Sequence, residues 1–266
     1  MNYSLYRDRL SATYTLSAGT ARAGYPASAV GTFDPSEVCW ITENEIALAV
    51  NLGSVLEVQA VFLFNHNFDE GTNVRLQATG IDVPITIERA YLNGYSCDAW
   101  VNLAAVVPSA VTRSKQNWTI TNVGDANGSS VFIGEVWFAA AWRQLDGEDI
   151  GHDYRRGAED LSVVSTSKRG VQTVYDMGSR ARDLSGSVRS KDVDTLLDWY
   201  DAQHGRVRPM VVVLDQDGET VRDREPHLCR FSSSRRELAS IKHDTVGDIV
   251  VAFQELGRGE VVNGPA

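Results

Sequence analysis

VFLFNHNFDEGTNVRLQATG, residues 61–80, holds two kinds of strand and the turn between them. In VRLQAT (74–79), Val74, Leu76 and Ala78 fall on one side of an extended chain and Arg75, Gln77 and Thr79 on the other. That period of two predicts a half-buried strand. The run before it, VLEVQAVFLF (55–64), passes from alternation to continuous hydrophobicity, as expected where a strand enters the core between two sheets. It stops at Asn65-His66-Asn67. Asparagine side chains bond nearby backbone groups and tolerate turn conformations, so the three residues read as a strand exit rather than as catalytic groups.

Outward from this stretch the theme repeats in EIALAVNL (45–52), ITIERAYL (85–92), WTITNV (118–123) and VFIGEVWFA (131–139). Clusters of Gly, Asn, Asp and Pro separate them, so a mainly β, sandwich-type fold is expected. The texture changes in AAAWRQLDGEDIGHDYRRGAED (139–160), which is charged and lacks alternation. It reads as a linker, with one domain over 1–140 and a second over 141–266. Strands are predicted in the second at LSVVSTS (161–167), VQTVYDM (171–177) and DLSGSVRS (183–190), the first two forming a hairpin through Lys168-Arg169-Gly170. One helix is predicted over 191–205, where Val193, Leu196, Leu197 and Tyr200 make a single apolar stripe. Asp192 and Asp194 suit its start, His204 its last turn and Gly205 its stop. Strands within RPMVVVLDQDGETV (208–221), HLCRFSSS (227–234) and DIVVAFQEL (248–256) close the domain.

A chain of 266 residues has room for two ordinary domains. Its 43% hydrophobic and 23% charged residues are those of a folded globular protein. The net charge of −10, from 35 acidic and 25 basic residues, repels phosphate backbone, so no nucleic-acid partner is expected. No apolar run is long enough for a membrane helix, and MNYSLYRDRL does not have the layout of a signal peptide. The expectation is synthesis in the cytoplasm without membrane insertion. Cys39, Cys97 and Cys229 are too widely spaced for a metal cadence and odd in number, and read as reduced, buried thiols.

No catalytic residue, metal ligand or cofactor motif emerges. The histidines (66, 152, 204, 227 and 243) are scattered singly, and no zinc, nucleophile-elbow or glycine-rich phosphate motif is present. DQDGETVRDRE (215–225) fails as a calcium loop, since the glycine comes too early and the last ligand position is Pro226. It reads as a charged hairpin turn. Basic clusters at Arg155-Arg156, Arg180 and Arg182, Arg206 and Arg208, and Arg235-Arg236 admit two readings: a solvated face with local ion pairs, or complementary charges across a repeating interface. Trp40, Tyr95 and Trp100 are candidate platforms for a sugar ring, with a core role the alternative for Trp40. Trp118, Trp137 and Trp199 sit on predicted elements and read as packing residues.

The order YPASAVGTFDPSEVCWIT, IALAVNLGSVLEVQAVFLFNHN, GTNVRLQAT and WTITNVGDANGSSVFIGEVWF resembles the galactose-binding-like (discoidin-type) jelly roll over about residues 20–140. The turn Val50-Asn51-Leu52-Gly53 and the late Trp118, Ile120 and Ile133–Val136 elements carry the likeness. From 141 to 266, a hairpin, one amphipathic helix ending in GRVRP, an apolar strand and two closing strands resemble the tube-interface domain of siphophage distal tail proteins. Together the resemblances imply a non-enzymatic structural component of a phage tail tip or baseplate. In that reading copies of the chain form a sixfold or threefold ring in the virion, against tail tube and tail hub proteins, and the jelly roll faces a host-surface glycan. Two other readings stay open: a carbohydrate-binding module outside any virus, and a hydrolase with a dispersed active site.

Overall fold

The computed structural model describes residues 2–32, 38–42, 46–68, 72–87, 97–123, 130–146, 155–158, 163–166, 172–175, 182–188, 193–204, 208–215, 226–232 and 249–255. In chain order the strands are β1 (Asn2–Arg9), β2 (Thr13–Ala18), β3 (Cys39–Ile41), β4 (Ile46–Glu57), β5 (Ala60–His66), β6 (Asn73–Ala78), β7 (Ile81–Pro84), β8 (Thr86–Ile87) and β9 (Cys97–Asn102). Two single-turn helices, α1 (Leu103–Val106) and α2 (Ala110–Arg113), precede β10 (Ser114–Val123) and β11 (Val131–Asp146). The second half adds β12 (Arg155–Ala158), β13 (Val163–Thr166), β14 (Gln172–Tyr175) and β15 (Arg182–Val188), then helix α3 (Val193–Ala202). It closes with β16 (Met210–Asp215), β17 (Pro226–Phe231) and β18 (Ile249–Glu255).

The chain is mainly β, as its alternating stretches predict. A five-stranded antiparallel sheet, ordered β2-β4-β10-β6-β7, faces the β3, β11, β5, β9 and β8 part of a larger sheet. Between them lies a core built from Ile46, Leu48 and Val50 of β4, Val74 and Leu76 of β6, Trp118 and Ile120 of β10, and Val61, Leu63, Val136 and Phe138 of the facing sheet. The predicted in-and-out pattern of 74–78 holds: Val74 and Leu76 are buried and Arg75 and Gln77 are not. β5 is buried along its whole length because it is covered on two sides. Val61 and Leu63 enter the sandwich core, while Ala60, Phe62 and Phe64 join Tyr6, Trp137, Val211, Val213 and Leu228 in a second core. Each fully buried phenylalanine contributes about 1.5–3 kcal/mol of transfer free energy, so both faces matter to stability.

The large sheet does not stop at the end of the first half. Its order is β12-β15-β18-β17-β16-β1-β11-β5-β9-β8, with β3 alongside β11. β1 is the join: Tyr6 pairs with Trp142 of β11 on one side and with Val211 of β16 on the other. The expected linker at 139–160 is therefore strand as far as Asp146, because β1 supplies hydrogen-bond partners along it, from Arg9↔Ala139 to Asn2↔Asp146. Residue 140 falls inside β11.

Other details differ from expectation for local reasons. The turn expected at Val50-Asn51-Leu52-Gly53 lies within β4, where the Gly53 N–H bonds Asn51 Oδ1 at 2.7 Å and Gly53 takes φ of 76°. The chain reverses later, at Val58-Gln59, so 55–57 belong to β4 rather than β5. Helix α3 occupies 193–202 and His204 after it is left-handed (φ 51°), while the predicted stop at Gly205 lies outside the described residues. β13 and β14 form the expected hairpin, whose Lys168-Arg169-Gly170 turn lies outside the described residues.

Gly31 closes a 3-10 turn, Ala27–Gly31, directly under Tyr14. A Cβ there would lie 2.8 Å from Tyr14 Cε2, and the ring is anchored by its hydroxyl, which donates to Val136 O at 3.1 Å. Gly31→Ala is expected to cost about 1–3 kcal/mol by overpacking, read as a lower urea midpoint. An unchanged midpoint would show that the ring can move aside.

Candidate functional site

The Asn65-His66-Asn67 exit is structural. The Asn67 amide donates to Ser130 O at 2.9 Å and its Oδ1 accepts from Phe132 N at 2.9 Å, which ties the end of β5 to the start of β11. His66 Nδ1 accepts from Phe68 N at 3.2 Å, and Asn65 turns the chain with φ of 53°. All three residues are buried. Asn67 bonds backbone more than sixty positions away and His66 bonds it locally, which explains why these polar side chains occupy so apolar a place.

Of the candidate sugar platforms, Trp40 and Trp100 fall in separate clusters. Trp40 lies on β3 in a small cluster with Val38, Phe132 and Tyr25, and the Arg22 guanidinium stacks over its ring at 5.0 Å. Beside it, burial pushes the Cys39 thiol up to about 11, too high for a reactive thiolate at neutral pH. Trp100 is half-buried on β9 and lies flat on Phe62, with centroids 5.7 Å apart and planes 8° apart. It belongs with the second core, away from the Trp40 cluster. Tyr95 lies outside the described residues. Trp118, Trp137 and Trp199 are buried, as their positions predict.

A cleft of about 420 Å³ opens instead where the two halves of the chain meet. Asp8 and Arg9 at the end of β1 and Trp137 of β11 form one wall. Gln203 after α3, Arg208 and Pro209 before β16, and Arg230 of β17 form the other. Helix α3 sets this second wall. Its Trp199 is buried under the Arg7 guanidinium at 4.7 Å, and Tyr200 packs on Phe231 of β17 at 5.2 Å. The Arg208 N–H donates to Gln203 O at 3.1 Å, holding the helix exit against the start of β16.

The charges around the cleft are not equivalent. Arg9 is bound inward: its Nη2 lies 3.0 Å from Glu135 Oε1, a carboxylate with no solvent exposure, and its Nη1 donates to Gly31 O at 3.0 Å. Nη2 also reaches Tyr14 Oη at 3.5 Å. Burial raises the Tyr14 phenol above its ordinary value, against the opposing pull of Arg9. Asp8 has Arg7 beside it at 3.4 Å. Among the described residues, Arg208 and Arg230 have no ion-pair partner, and both are exposed. Gln203 is 2% exposed, and its Nε2 has no hydrogen-bond acceptor among the described residues.

Backbone strain gathers here too. Three non-glycine described residues have positive φ: Asp8 (55°), Asn65 (53°) and His204 (51°). Asp8 lines the cleft and His204 directly follows Gln203. A left-handed conformation costs a residue with a Cβ about 1–2 kcal/mol, so the surrounding structure must hold these positions in place. Of the lining residues, the sequence pointed only to Arg208, as part of a basic cluster, and to Trp137, as packing. Asp8, Arg9, Gln203 and Arg230 carried no motif.

No family model matches the chain, and no curated protein matches it. Among solved structures it is similar to a variant of chitosan-binding module 1, derived from a chitosanase/glucanase of Paenibacillus sp. IK-5. The identity is 16%, over 51% of this chain and 98% of the module, with a TM-score of 0.36. It is also similar to the family 32 CBM of NanJ from C. perfringens in complex with galactose (15% identity, 50% of this chain, 93% of that one, TM-score 0.35). A third is a variant of the lectin binding domain of Lectinolysin complexed with Lewis b (17%, 51% and 94%, TM-score 0.34). The likeness reaches about half of this chain, and at these scores it assigns neither a ligand nor a site.

Proposed function

We propose that the chain is a non-catalytic glycan-binding protein whose ligand site is the cleft between its two halves. The observation that supports this is the mixed lining: the Asp8 carboxylate accepts, the Gln203 amide does both, the arginines donate, and Trp137 and Pro209 add apolar surface. A sugar ring offers the matching surface, hydroxyls at its edge and C–H groups on its faces. The volume of about 420 Å³ lies within the range of small-molecule sites. Binding of the purified full chain to a glycan array, followed by calorimetry, tests the reading. At least one glycan is expected to bind, and Gln203→Leu to weaken it about tenfold, the worth of one hydrogen bond, with unchanged melting. Absence of binding across the array would reject the reading.

A second reading is the ring of a phage tail tip. Among the described residues the large sheet is open at both ends, β8 and β12 each pairing on one side only. An open sheet edge is one surface through which copies of a subunit can pair. Light scattering of the purified chain decides the matter: a stable hexamer or trimer supports the ring, and a monomer at all concentrations removes it.

A further inference from the structure

We infer that the cleft recognises a carboxylate, so that its ligand is an acidic glycan carrying a uronic or sialic acid type of group. The inference rests on the glycan reading above and adds the charge of the sugar. The chain as a whole carries a net charge of −10, yet three arginines and one aspartate line this cleft. Two of those charges are already matched from within: Arg9 by buried Glu135, and Asp8 by Arg7. What remains facing the opening is Arg208 and Arg230, from two separate segments, with no carboxylate partner among the described residues.

Like charges converging on one cavity repel each other, and an anion between them relieves that repulsion. Guanidinium groups hold a carboxylate through paired N–H bonds in a fixed planar geometry, and more tightly than they hold a neutral hydroxyl. Gln203, a lining residue, is buried, and its Nε2 has no hydrogen-bond acceptor among the described residues. An unsatisfied amide in a pocket is costly unless something arrives to accept from it, and a carboxylate oxygen does so. The two left-handed positions, Asp8 in the lining and His204 beside Gln203, show that the fold holds both walls in uncommon backbone conformations.

Calorimetric titration of the full chain with trigalacturonate and sialyllactose, each beside its methyl ester, isolates the charge from the ring. At least one acid is expected to bind tenfold or more tightly than its ester, and to weaken as salt rises from 50 to 500 mM. Arg208→Gln and Arg230→Gln are each expected to lose about tenfold for that acid while changing little for the ester. Both side chains are exposed, and matched melting temperatures confirm that the variants fold. Equal affinity for acid and ester, or binding only of neutral sugars, would overturn the carboxylate inference and leave the glycan reading standing. Binding of a polyglutamate peptide with no glycan bound would overturn the acidic-glycan assignment and the glycan reading together.

Discussion

Arg9→Ala is expected to lower the free energy of unfolding by about 3–5 kcal/mol, because it strands the Glu135 carboxylate in the interior without its partner. Glu135 has no solvent exposure and the Arg9 side chain only 7%, so water screens little of the interaction. The same change removes the bond to Gly31 O and the approach to Tyr14 Oη. Urea denaturation followed by circular dichroism measures the loss. The double variant Arg9→Met with Glu135→Leu is expected to recover part of it, since removing both charges of a buried pair costs less than removing one. A loss below about 1 kcal/mol for the single variant would mean that water reaches the pair, as it does at an exposed salt bridge.

Trp118→Ala is expected to cost about 3–5 kcal/mol, the usual range for deleting a large ring from a packed core. Trp118 is 1% exposed, lies opposite Val50 of β4, and meets the Phe138 ring at 5.9 Å in the centre of the sandwich. Its indole Nε1 has no acceptor among the described residues. Trp118→Phe is therefore expected to stay within about 1 kcal/mol of the parent, because the lost volume is offset by removing an unsatisfied buried donor. If the phenylalanine variant falls as far as the alanine one, the indole N–H must be bonded. Both values come from the same urea titrations.

Strands whose two faces differ were legible in the sequence, because burial writes itself as a period of two: Val74 and Leu76 against Arg75 and Gln77 is the plain case. Burial on both sides was legible as well, since Ala60 to Phe64 has no polar interruption. β1 was not. NYSLYRDR mixes Tyr and Leu with Arg and Asp and was not singled out as a strand, yet Arg7 lies on Trp199 and Arg9 meets Glu135. The partners that make those charges tolerable stand more than a hundred residues away, and no local pattern encodes them. For the same reason the cleft was hidden: its lining comes from five separated segments, and each contributes one or two residues. The Arg206 and Arg208 cluster was its one visible trace, and proximity in sequence could not show that Arg208 would stand across from Arg9.

The placement of β1 between β11 and β16 has a consequence for how the protein is made. Tyr6 leaves the ribosome about two hundred residues ahead of Val211, its partner across the sheet, so this contact is among the most non-local the chain can form. Until β16 emerges, one hydrogen-bonding edge of β1 stays open, a ready target for a chaperone or for another nascent chain. Completion of the molecule therefore waits on late synthesis, and slowing translation before residue 210 should prolong the interval in which it is vulnerable to aggregation.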